Sequence, residues 1–422
     1  MVVQLTDPQL AVLGVFLLSI LLLVTEKYHR ATSAMISAAL MVYFGAYVYG
    51  IFEPDAVFEF IDWHTLLFIV GVLILVEGLS ESGLFQAMGL LLARGLARRR
   101  NLLFVSFMFL TLLVTLFLAN FPAMLVMGAI TTSLRERLGI NLKKWIIYEA
   151  VVCNSGAMGL MISSIPNLIV ALNFGMSFNE FLRVALPLSL LLTGITAVTG
   201  VVTGELYESE SEELAGSLGS FEGWKLVRAL LIFSAFLALV VANLPQFPMD
   251  LMAFLMAAFM LWLGGADPDE VFSNVDWSTV FFLASFYVVI GGVESAGLLG
   301  YLSSPLTELH SSPILFLSVM TWASGLMSGF IDNIPVALTF TSVLKSLPEE
   351  VVERAYAYAV AIGSNIGGNL TYFASPPSLI AVSILQREEG MSPMEFTKCG
   401  APISLIHLLV SEVYLLAFFG FL

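Results

Sequence analysis

Two short stretches of the chain combine asparagines, small hydroxyl residues, glycines and prolines within runs that are otherwise apolar. Residues 153–169 read CNSGAMGLMISSIPNLI, and residues 364–380 read SNIGGNLTYFASPPSLI. A continuous lipid-facing helix avoids such residues, because free backbone groups at membrane depth are tolerated only inside protein or beside water. A helix interrupted in this way offers helix ends, carbonyl groups and amide side chains to a ligand. A Gly-rich packing face between helices is the structural alternative.

The two stretches align without gaps at a separation of 211 positions. Six residues of the first stretch recur in the second. They are Asn154, Gly156, Ser164, Pro166, Leu168 and Ile169, which match Asn365, Gly367, Ser375, Pro377, Leu379 and Ile380. Corresponding Gly/Pro-interrupted segments in two halves of a chain are typical of a transporter's binding site. We therefore predict these binding residues: Asn154, Ser155, Gly156, Ser164 and Asn167 in the first stretch, and Asn365, Gly367, Gly368, Asn369, Thr371 and Ser375 in the second.

An Asn-X-Pro motif lies near the middle of two longer apolar blocks, each of about 33 residues. The first motif supplies Asn120 and Pro122, and the second supplies Asn333 and Pro335. The apolar arm that follows Asn120 is short for a full span. We therefore predict re-entrant hairpins over 102–137 and 312–347, with these residues at their tips and in the binding site. Two tightly joined spans are the alternative.

Asp332 is the one acidic residue placed at a predicted hairpin tip. A carboxylate inside the bilayer costs about 2.5–3.5 kcal/mol on insertion scales, so it is a functional candidate by default. One carboxylate can hold either H⁺ or Na⁺, and hard oxygen ligands suit Na⁺. We predict Asp332, Asn333 and Asn365 as ligands of a bound Na⁺, with no other cofactor. The alternative role of Asp332 is a helix cap bonded to backbone amides.

The composition predicts an integral membrane protein that crosses the bilayer many times. Of the 422 residues, 59% are hydrophobic and only 12% are charged, with a mean hydropathy of +0.94. The apolar residues fall in blocks of about 20, the length that spans a bilayer. The net charge of −15 belongs to the loops and indicates no nucleic-acid partner. The two cysteines make neither a disulfide framework nor a metal motif. Neither His-Glu-x-x-His nor Gly-x-Ser-x-Gly occurs, so we do not expect an enzyme.

Repeated motifs divide the chain into two halves of six apolar blocks each. Asp62-Trp63, for example, returns as Asp276-Trp277 in the second half. The repeats are predicted at 1–204 and 224–422, with an acidic linker at 205–223 and interrupted helices over 146–172 and 354–385. One hairpin in each half leaves five spans, and an odd number inverts the second repeat relative to the first. The predicted fold is therefore an all-α polytopic membrane protein of two inverted repeats, each with five transmembrane helices and one re-entrant hairpin.

The basic residues predict the orientation in the membrane. Fourteen Lys and Arg residues fall in the loops of one side, and three, Arg183, Lys345 and Arg354, in the loops of the other. The positive-inside rule then places both termini outside the plasma membrane. Arg30 belongs to an inner loop in this scheme. No basic residue falls within the hairpin tips or the breaks, and this absence argues against a di- or tricarboxylate cargo. Glu77 and Glu149 lie near block ends and are predicted to be interfacial.

The motifs resemble those of the ion transporter superfamily, over nearly the whole chain. That group includes arsenite permeases, NhaD-type sodium/proton antiporters, the P protein and citrate or dicarboxylate carriers. Residues 332–335 (DNIP) and 365–371 (NIGGNLT) are similar to the hairpin tip and the helix break of the antiporter and P-protein branches, and residues 165–167 (IPN) to the Pro-Asn after the first break. Two positions depart from the pattern, namely Ala119, where antiporter-type members often have Asp, and the degenerate 153–156 (CNSG).

The resemblance implies an elevator mechanism, in which a transport domain of hairpins and broken helices slides against a scaffold, often within a homodimer in the lipid bilayer. We expect a secondary active transporter that couples movement of a small inorganic solute, Na⁺ or an arsenite-type species, to an H⁺ or Na⁺ gradient. The alternative is a Na⁺-coupled carrier for a small anion such as citrate or a dicarboxylate. A channel is a further alternative, which accumulation of solute against a gradient would exclude.

Overall fold

In the computed structural model, the described residues are 5–25, 27–81, 83–208, 223–242, 247–265, 267–309, 312–348 and 351–421. They form twenty α-helices, and the only β-structure among them is an isolated bridge between Ile140 and Tyr207. The all-α prediction is thus confirmed for this part of the chain. The first half contains α1 (Asp7–Thr25), α2 (Arg30–Val42, extended by a π-helical segment, Tyr43–Val48), α3 (Val57–Phe60), α4 (Trp63–Ser80), α5 (Leu84–Leu96), α6 (Arg100–Leu118), α7 (Asn120–Leu138), α8 (Leu142–Ala157), α9 (Ile165–Asn173) and α10 (Phe178–Thr203).

The second half follows the same order of elements. It contains α11 (Gly223–Ala242), α12 (Met249–Leu263), α13 (Pro268–Asn274), α14 (Trp277–Ser295), α15 (Leu298–Leu309), α16 (Pro313–Ser328), α17 (Asn333–Lys345), α18 (Arg354–Gly367), α19 (Pro376–Glu389) and α20 (Pro393–Phe418). Of the predicted linker, residues 209–222 lie outside the described residues. The residues before them pack back on the first half, where Trp145 Nε1 donates to the carbonyl oxygen of Leu206 at 3.0 Å.

The two Gly/Pro-rich stretches each lie between two helices. α8 ends at Ala157 and α9 begins at Ile165, with a 3₁₀ turn at Met161–Ser163 between them. α18 ends at Gly367 and α19 begins at Pro376. Proline in the first turn is compatible with a helix, because the missing N–H has no partner there anyway. Each break therefore ends in a new helix N-terminus inside the protein.

The two Asn-X-Pro motifs begin the second helix of each predicted hairpin. α6 and α7 meet at Ala119, a non-glycine residue with φ of 62°. α7 has 19 residues and reaches Leu138, beyond the 14-residue arm expected from the sequence, because its last turn adds Arg135 and Arg137. At 1.5 Å per residue this helix is about 28 Å long. The argument from a short arm therefore fails for the first hairpin, whereas α17 has only 13 residues.

Helices of the two halves pack across each other in matching pairs. α4 packs on α12, and α14 packs on α2. The same caps begin α4 and α14, because Asp62 accepts from the backbone N–H of Thr65 and Asp276 from that of Thr279, each at 3.1 Å. Equivalent positions of the two halves therefore have the same local structure.

Six helices among the described residues are long and apolar enough to cross a membrane, and five shorter apolar segments accompany them. Large apolar side chains on the outer surface, such as Val202 at 78% and Trp262 at 77% exposure, are suited to lipid contact. The chain is thus a multi-pass membrane protein. α5 and α15 were not among the predicted blocks, and they follow Gly83 and Gly297, whose φ values of 72° and 71° favour glycine.

Candidate functional site

The side chain of Asn154, fully buried in the last turn of α8, connects the two helix breaks. Its Nδ2 donates to Asn369 Oδ1 and to Ser375 Oγ, each at 2.8 Å, and approaches Ser378 Oγ at 3.4 Å. Both serine hydroxyls also donate to the carbonyl oxygen of Gly368, at 3.0 and 2.8 Å. The Oδ1 of Asn154 is buried without a partner. This oxygen can therefore still accept a hydrogen bond.

Asn365 makes the reciprocal contacts from the last turn of α18. Its Oδ1 accepts from Ser164 Oγ at 2.6 Å, and its Nδ2 donates to Asn167 Oδ1 at 2.9 Å. Asn167 in turn donates to the carbonyl oxygens of Ala157 and Leu160, at 2.9 and 2.7 Å. The hydroxyl of Ser163 donates to the same two carbonyl oxygens, at 2.5 and 2.8 Å. The amide side chains thus satisfy the backbone of the break itself.

The 211-residue offset relates the contacts made by one half to those made by the other. The pair Asn154–Ser375 corresponds to the pair Asn365–Ser164, and each pair links one half to the break of the other. We call this set the amide network; it consists of Asn154, Ser164, Asn167, Asn365, Asn369, Ser375 and Ser378. The structure therefore brings together six of the residues predicted from the sequence.

The predicted glycines allow close approaches in and around the network. A Cβ atom on Gly368 would lie 2.9 Å from Ser375 Cβ and 3.2 Å from Asn154 Cγ. On Gly156 it would lie 2.9 Å from Leu112 Cδ1, and on Gly367 it would meet the backbone of α16. Gly156 and Gly367 thus have the packing role that was the alternative for these stretches, whereas Gly368 brings the break against Asn154.

Two further predicted hydroxyl residues bond to the backbone. Ser155 Oγ donates to the carbonyl oxygen of Val151 at 2.8 Å, within its own helix. Thr371 Oγ1 donates to the carbonyl oxygen of Gly329 at 2.6 Å, which ties the second break to the turn of the second hairpin. Ser155 thus lies outside the amide network, whereas Thr371 connects the second break to the second hairpin.

Four helix N-termini border one cavity of about 350 Å³, which we call the cargo cavity. Asn120 of α7, Ile165 of α9, Asn333 of α17 and Pro376 of α19 all line it, and each is the first residue of its helix. Helix N-termini carry partial positive charge, which suits an anion. Other lining residues come from both halves: Arg30, Ile69, Val72, Leu73, Val76, Glu77, Pro122, Thr279 and Asp276 among them. Pro335 is buried within the first turn of α17.

Arg30, the first residue of α2, carries the positive charge in the wall of this cavity. Its Nη1 lies 3.1 Å from Asp332 Oδ2, and its Nη2 lies 3.0 Å from Asp276 Oδ2 and 2.8 Å from Thr279 Oγ1. Asp332 Oδ1 accepts from the backbone N–H of Ile334 at 3.1 Å. Asp332 therefore caps α17, the alternative stated for it from the sequence, and forms an ion pair in addition.

A second cavity of about 340 Å³, the side cavity, is lined by Arg30, Asp332 and Ser375 among others. The predicted Na⁺ ligands thus have different surroundings: Asp332 contacts Arg30, while Asn365 bonds within the amide network. Asn333 Nδ2 is buried without a partner. No group of three His, Cys, Asp or Glu side chains with metal-site spacing occurs within the described ranges. The Na⁺ site stays a prediction.

Some residues of the site could not be anticipated, and others could. Arg30 was counted with an inner loop, since nothing in the sequence links it to Asp276 or Asp332 more than 240 positions away. Ser378, by contrast, matches Asn167 in the gap-free alignment and was overlooked. Asp276 belongs to the repeated Asp-Trp motif, which indicated the internal repeat and not a cavity.

Glu77 and Glu149, which were predicted to be interfacial, both contact polar groups of the protein. Glu149 is fully buried, with Thr131 Oγ1 of α7 donating to its Oε1 at 2.6 Å and no partner for Oε2. α8 begins at Leu142, so Glu149 lies two turns inside it and faces the hairpin. Glu77 lines the cargo cavity and is hydrogen-bonded to Asn274.

Comparison with known proteins identifies the family of this chain. An uncharacterised transporter of Mycobacterium tuberculosis is 28% identical over 427 residues, covering 95% of this chain and 96% of that protein. The human P protein is 24% identical over 486 residues, covering 94% of this chain and 58% of that protein. The YdaH transporter of Alcanivorax borkumensis has a similar fold, with a TM-score of 0.61 at 14% identity over 99% of both chains. The citrate transporter model matches residues 20–360, so the chain belongs to this family of membrane transporters.

Proposed function

We propose that the chain is a cation-coupled secondary active transporter whose cargo is a small carboxylate anion such as citrate or a dicarboxylate. One observation carries the proposal: Arg30 and four helix N-termini border a single cavity. The guanidinium group matches a carboxylate in shape and charge, and helix N-termini favour anions. The volume of about 350 Å³ falls in the range of small-molecule sites. The sequence argument against a carboxylate cargo rested on the absence of a basic residue, and Arg30 removes it.

The amide network supports the proposal as a rigid frame for the site. Its hydrogen bonds join the break of one half to the break of the other, so α9 and α19 present their N-termini to the same cavity. We propose that the hairpins and broken helices form the transport domain and that the helices carrying Arg30 and Glu77 belong to the scaffold. The elevator movement and the homodimer are inferences from the resemblance described above. The inverted repeat is an inference from the repeated motifs and the odd number of spans in each half.

An inorganic cation is the second candidate cargo. Three carboxylates, Glu77, Asp276 and Asp332, lie around the two cavities against the one guanidinium of Arg30. This excess of negative charge favours exchange of Na⁺ for H⁺. The same carboxylates serve the first proposal as binding groups for the coupling cation.

Uptake by purified protein in proteoliposomes tests the proposal. Labelled citrate, succinate, Na⁺ and arsenite are offered separately, under an imposed Na⁺ gradient and an imposed pH gradient. The proposal expects citrate or succinate to accumulate above its equilibrium distribution, and only while the gradient lasts. Equilibration without accumulation would indicate a channel. Exchange of Na⁺ for H⁺ with no uptake of either carboxylate would establish the second candidate instead.

A further inference from the structure

Arg30 lies on a helix of the proposed scaffold and forms an ion pair with Asp332, which begins a helix of the proposed transport domain. Asp276 caps α14, which packs on α2 with Arg30 at its start, and Asp332 caps α17 of the second hairpin. Arginine keeps its charge at any ordinary pH. The guanidinium therefore stays charged, and any other anion that reaches it competes with Asp332.

The two aspartates are held unequally. Asp276 Oδ1 accepts from Thr279 N at 3.1 Å, and its Oδ2 accepts from Thr279 Oγ1 at 2.5 Å as well as from Arg30. Asp332 Oδ1 accepts from Ile334 N, but among the described residues its Oδ2 has Arg30 as its only hydrogen-bond donor. The Oδ2 of Asp332 can thus leave Arg30 while Oδ1 still caps α17. Asp332 is the exchangeable partner.

Arg30 borders both cavities. Asp276 lines the cargo cavity, and Asp332 lines the side cavity. An anion in the cargo cavity and the carboxylate of Asp332 therefore compete for the same side chain. A charge-assisted hydrogen bond to one of them weakens the bond to the other.

We propose that the cargo carboxylate replaces Asp332 at Arg30 and that the freed Asp332 carboxylate then binds the coupling Na⁺ in the side cavity. This inference rests on the proposed function, because it takes the cargo to be an anion. While Asp332 is paired with Arg30, the guanidinium both occupies the carboxylate and repels a cation. Cargo removes both obstacles, so each ligand raises the affinity for the other by the same factor.

The thermal shift of the purified, detergent-solubilised chain tests the exchange. Na⁺ is titrated against choline at constant ionic strength, with and without citrate, because a ligand that binds the folded state raises its stability with concentration. In the unmodified protein, citrate should strengthen the response to Na⁺ at least several-fold. Arg30→Gln should respond to Na⁺ without citrate and lose the response to citrate. Asp332→Asn, which retains the cap through Oδ1, should respond to citrate without Na⁺.

Two matched variants control for loss of charge alone. Arg228→Gln removes an exposed arginine that stacks on Trp224 in α11, and Asp62→Asn changes the equivalent cap in the first half. Both should behave as the unmodified protein does. If Arg30→Gln does not fold, the response of Asp332→Asn to citrate alone decides the matter.

Additive, independent shifts by citrate and Na⁺ in the unmodified protein and in Asp332→Asn would overturn the exchange, although citrate would remain the cargo. A new response to Na⁺ in Arg30→Gln, with no citrate response in the unmodified protein, would show that the ion pair excludes Na⁺ from Asp332 and would reject citrate as the anion that opens it. The failure of the inference and the failure of the proposed function are therefore distinguishable.

Discussion

The side-chain amide of Asn154 donates to that of Asn369 over 2.8 Å, so the interrupted helix of one half is hydrogen-bonded to the interrupted helix of the other. Both residues are fully buried. Hydrogen bonds between buried amides are stronger than those in water, because the local dielectric constant is low. The amide network therefore fixes the positions of the two breaks relative to each other, and with them the helix N-termini that line the cargo cavity.

Replacing Asn365 by alanine should destabilise the protein. The change leaves Ser164 Oγ and Asn167 Oδ1 buried without their partner. Each orphaned polar group costs about 1–3 kcal/mol. We expect a lower midpoint in thermal unfolding and a loss of cargo binding. Ser155→Ala is the control, because that hydroxyl bonds only to its own helix, and it should unfold close to the unmodified protein. Equal midpoints for both variants would contradict the role of the network.

Gly368→Ala should abolish transport. The added methyl group would lie 2.9 Å from Ser375 Cβ and 3.2 Å from Asn154 Cγ, so the network must open to accommodate it. Gly194→Ala in α10 is the matched control, because nothing lies within 4 Å of its added Cβ. This control should unfold at the same or a slightly higher temperature, since alanine favours a helix by about 0.5–1 kcal/mol. Uptake assays on both variants check the prediction, and normal uptake by Gly368→Ala would refute it.

Thr131→Val should destabilise the first hairpin against α8. Thr131 is the hydrogen-bond donor to the buried Glu149, whose second oxygen already lacks a partner. An unsatisfied buried acceptor costs about 1–3 kcal/mol, whereas replacing both partners by apolar groups of similar shape is close to neutral. The double variant Thr131→Val/Glu149→Leu should therefore recover most of the stability. Thermal unfolding of the three proteins decides the matter, and a double variant less stable than the single one would exclude this explanation.

Both termini are predicted to face the outside, and labelling can test that orientation. In a background with Cys153→Ala and Cys399→Ser, an impermeant maleimide added to intact cells should label Lys345→Cys and leave Arg99→Cys unlabelled. Both positions are exposed in the structure. The expectation follows from the concentration of basic residues on one side. The reverse pattern of labelling would invert the topology.

The breaks and their residues could be predicted because they are local features of composition that occur twice. Asn154 and Asn365 stand out as polar residues beside glycine in apolar runs, and the 211-residue offset pairs them. The same offset relates the two reciprocal contacts to each other, since Ser164 and Ser375 are equivalent positions. Their position at a helix break thus predicts that these residues lie near backbone groups that need hydrogen-bond partners.

The remaining features depend on contacts between distant parts of the chain. Arg30 reaches Asp332 across 302 positions, a distance over which sequence patterns carry no information without an alignment. Glu149 looked interfacial because the apolar block was taken to begin at 146, whereas the helix begins at Leu142. The extra length of α7 came from charged residues that continue the helix, which a search for apolar blocks leaves out.

Binding of labelled citrate to the purified protein, measured for the unmodified chain, Arg30→Gln and Arg228→Gln, tests the central claim most directly. The claim is that the cargo is an anion held by Arg30 in the cavity between the four helix N-termini. We predict saturable binding to the unmodified protein and to Arg228→Gln. Arg30→Gln should bind at least tenfold more weakly, which corresponds to about 1.4 kcal/mol. Binding of equal affinity to all three folded proteins would contradict the claim.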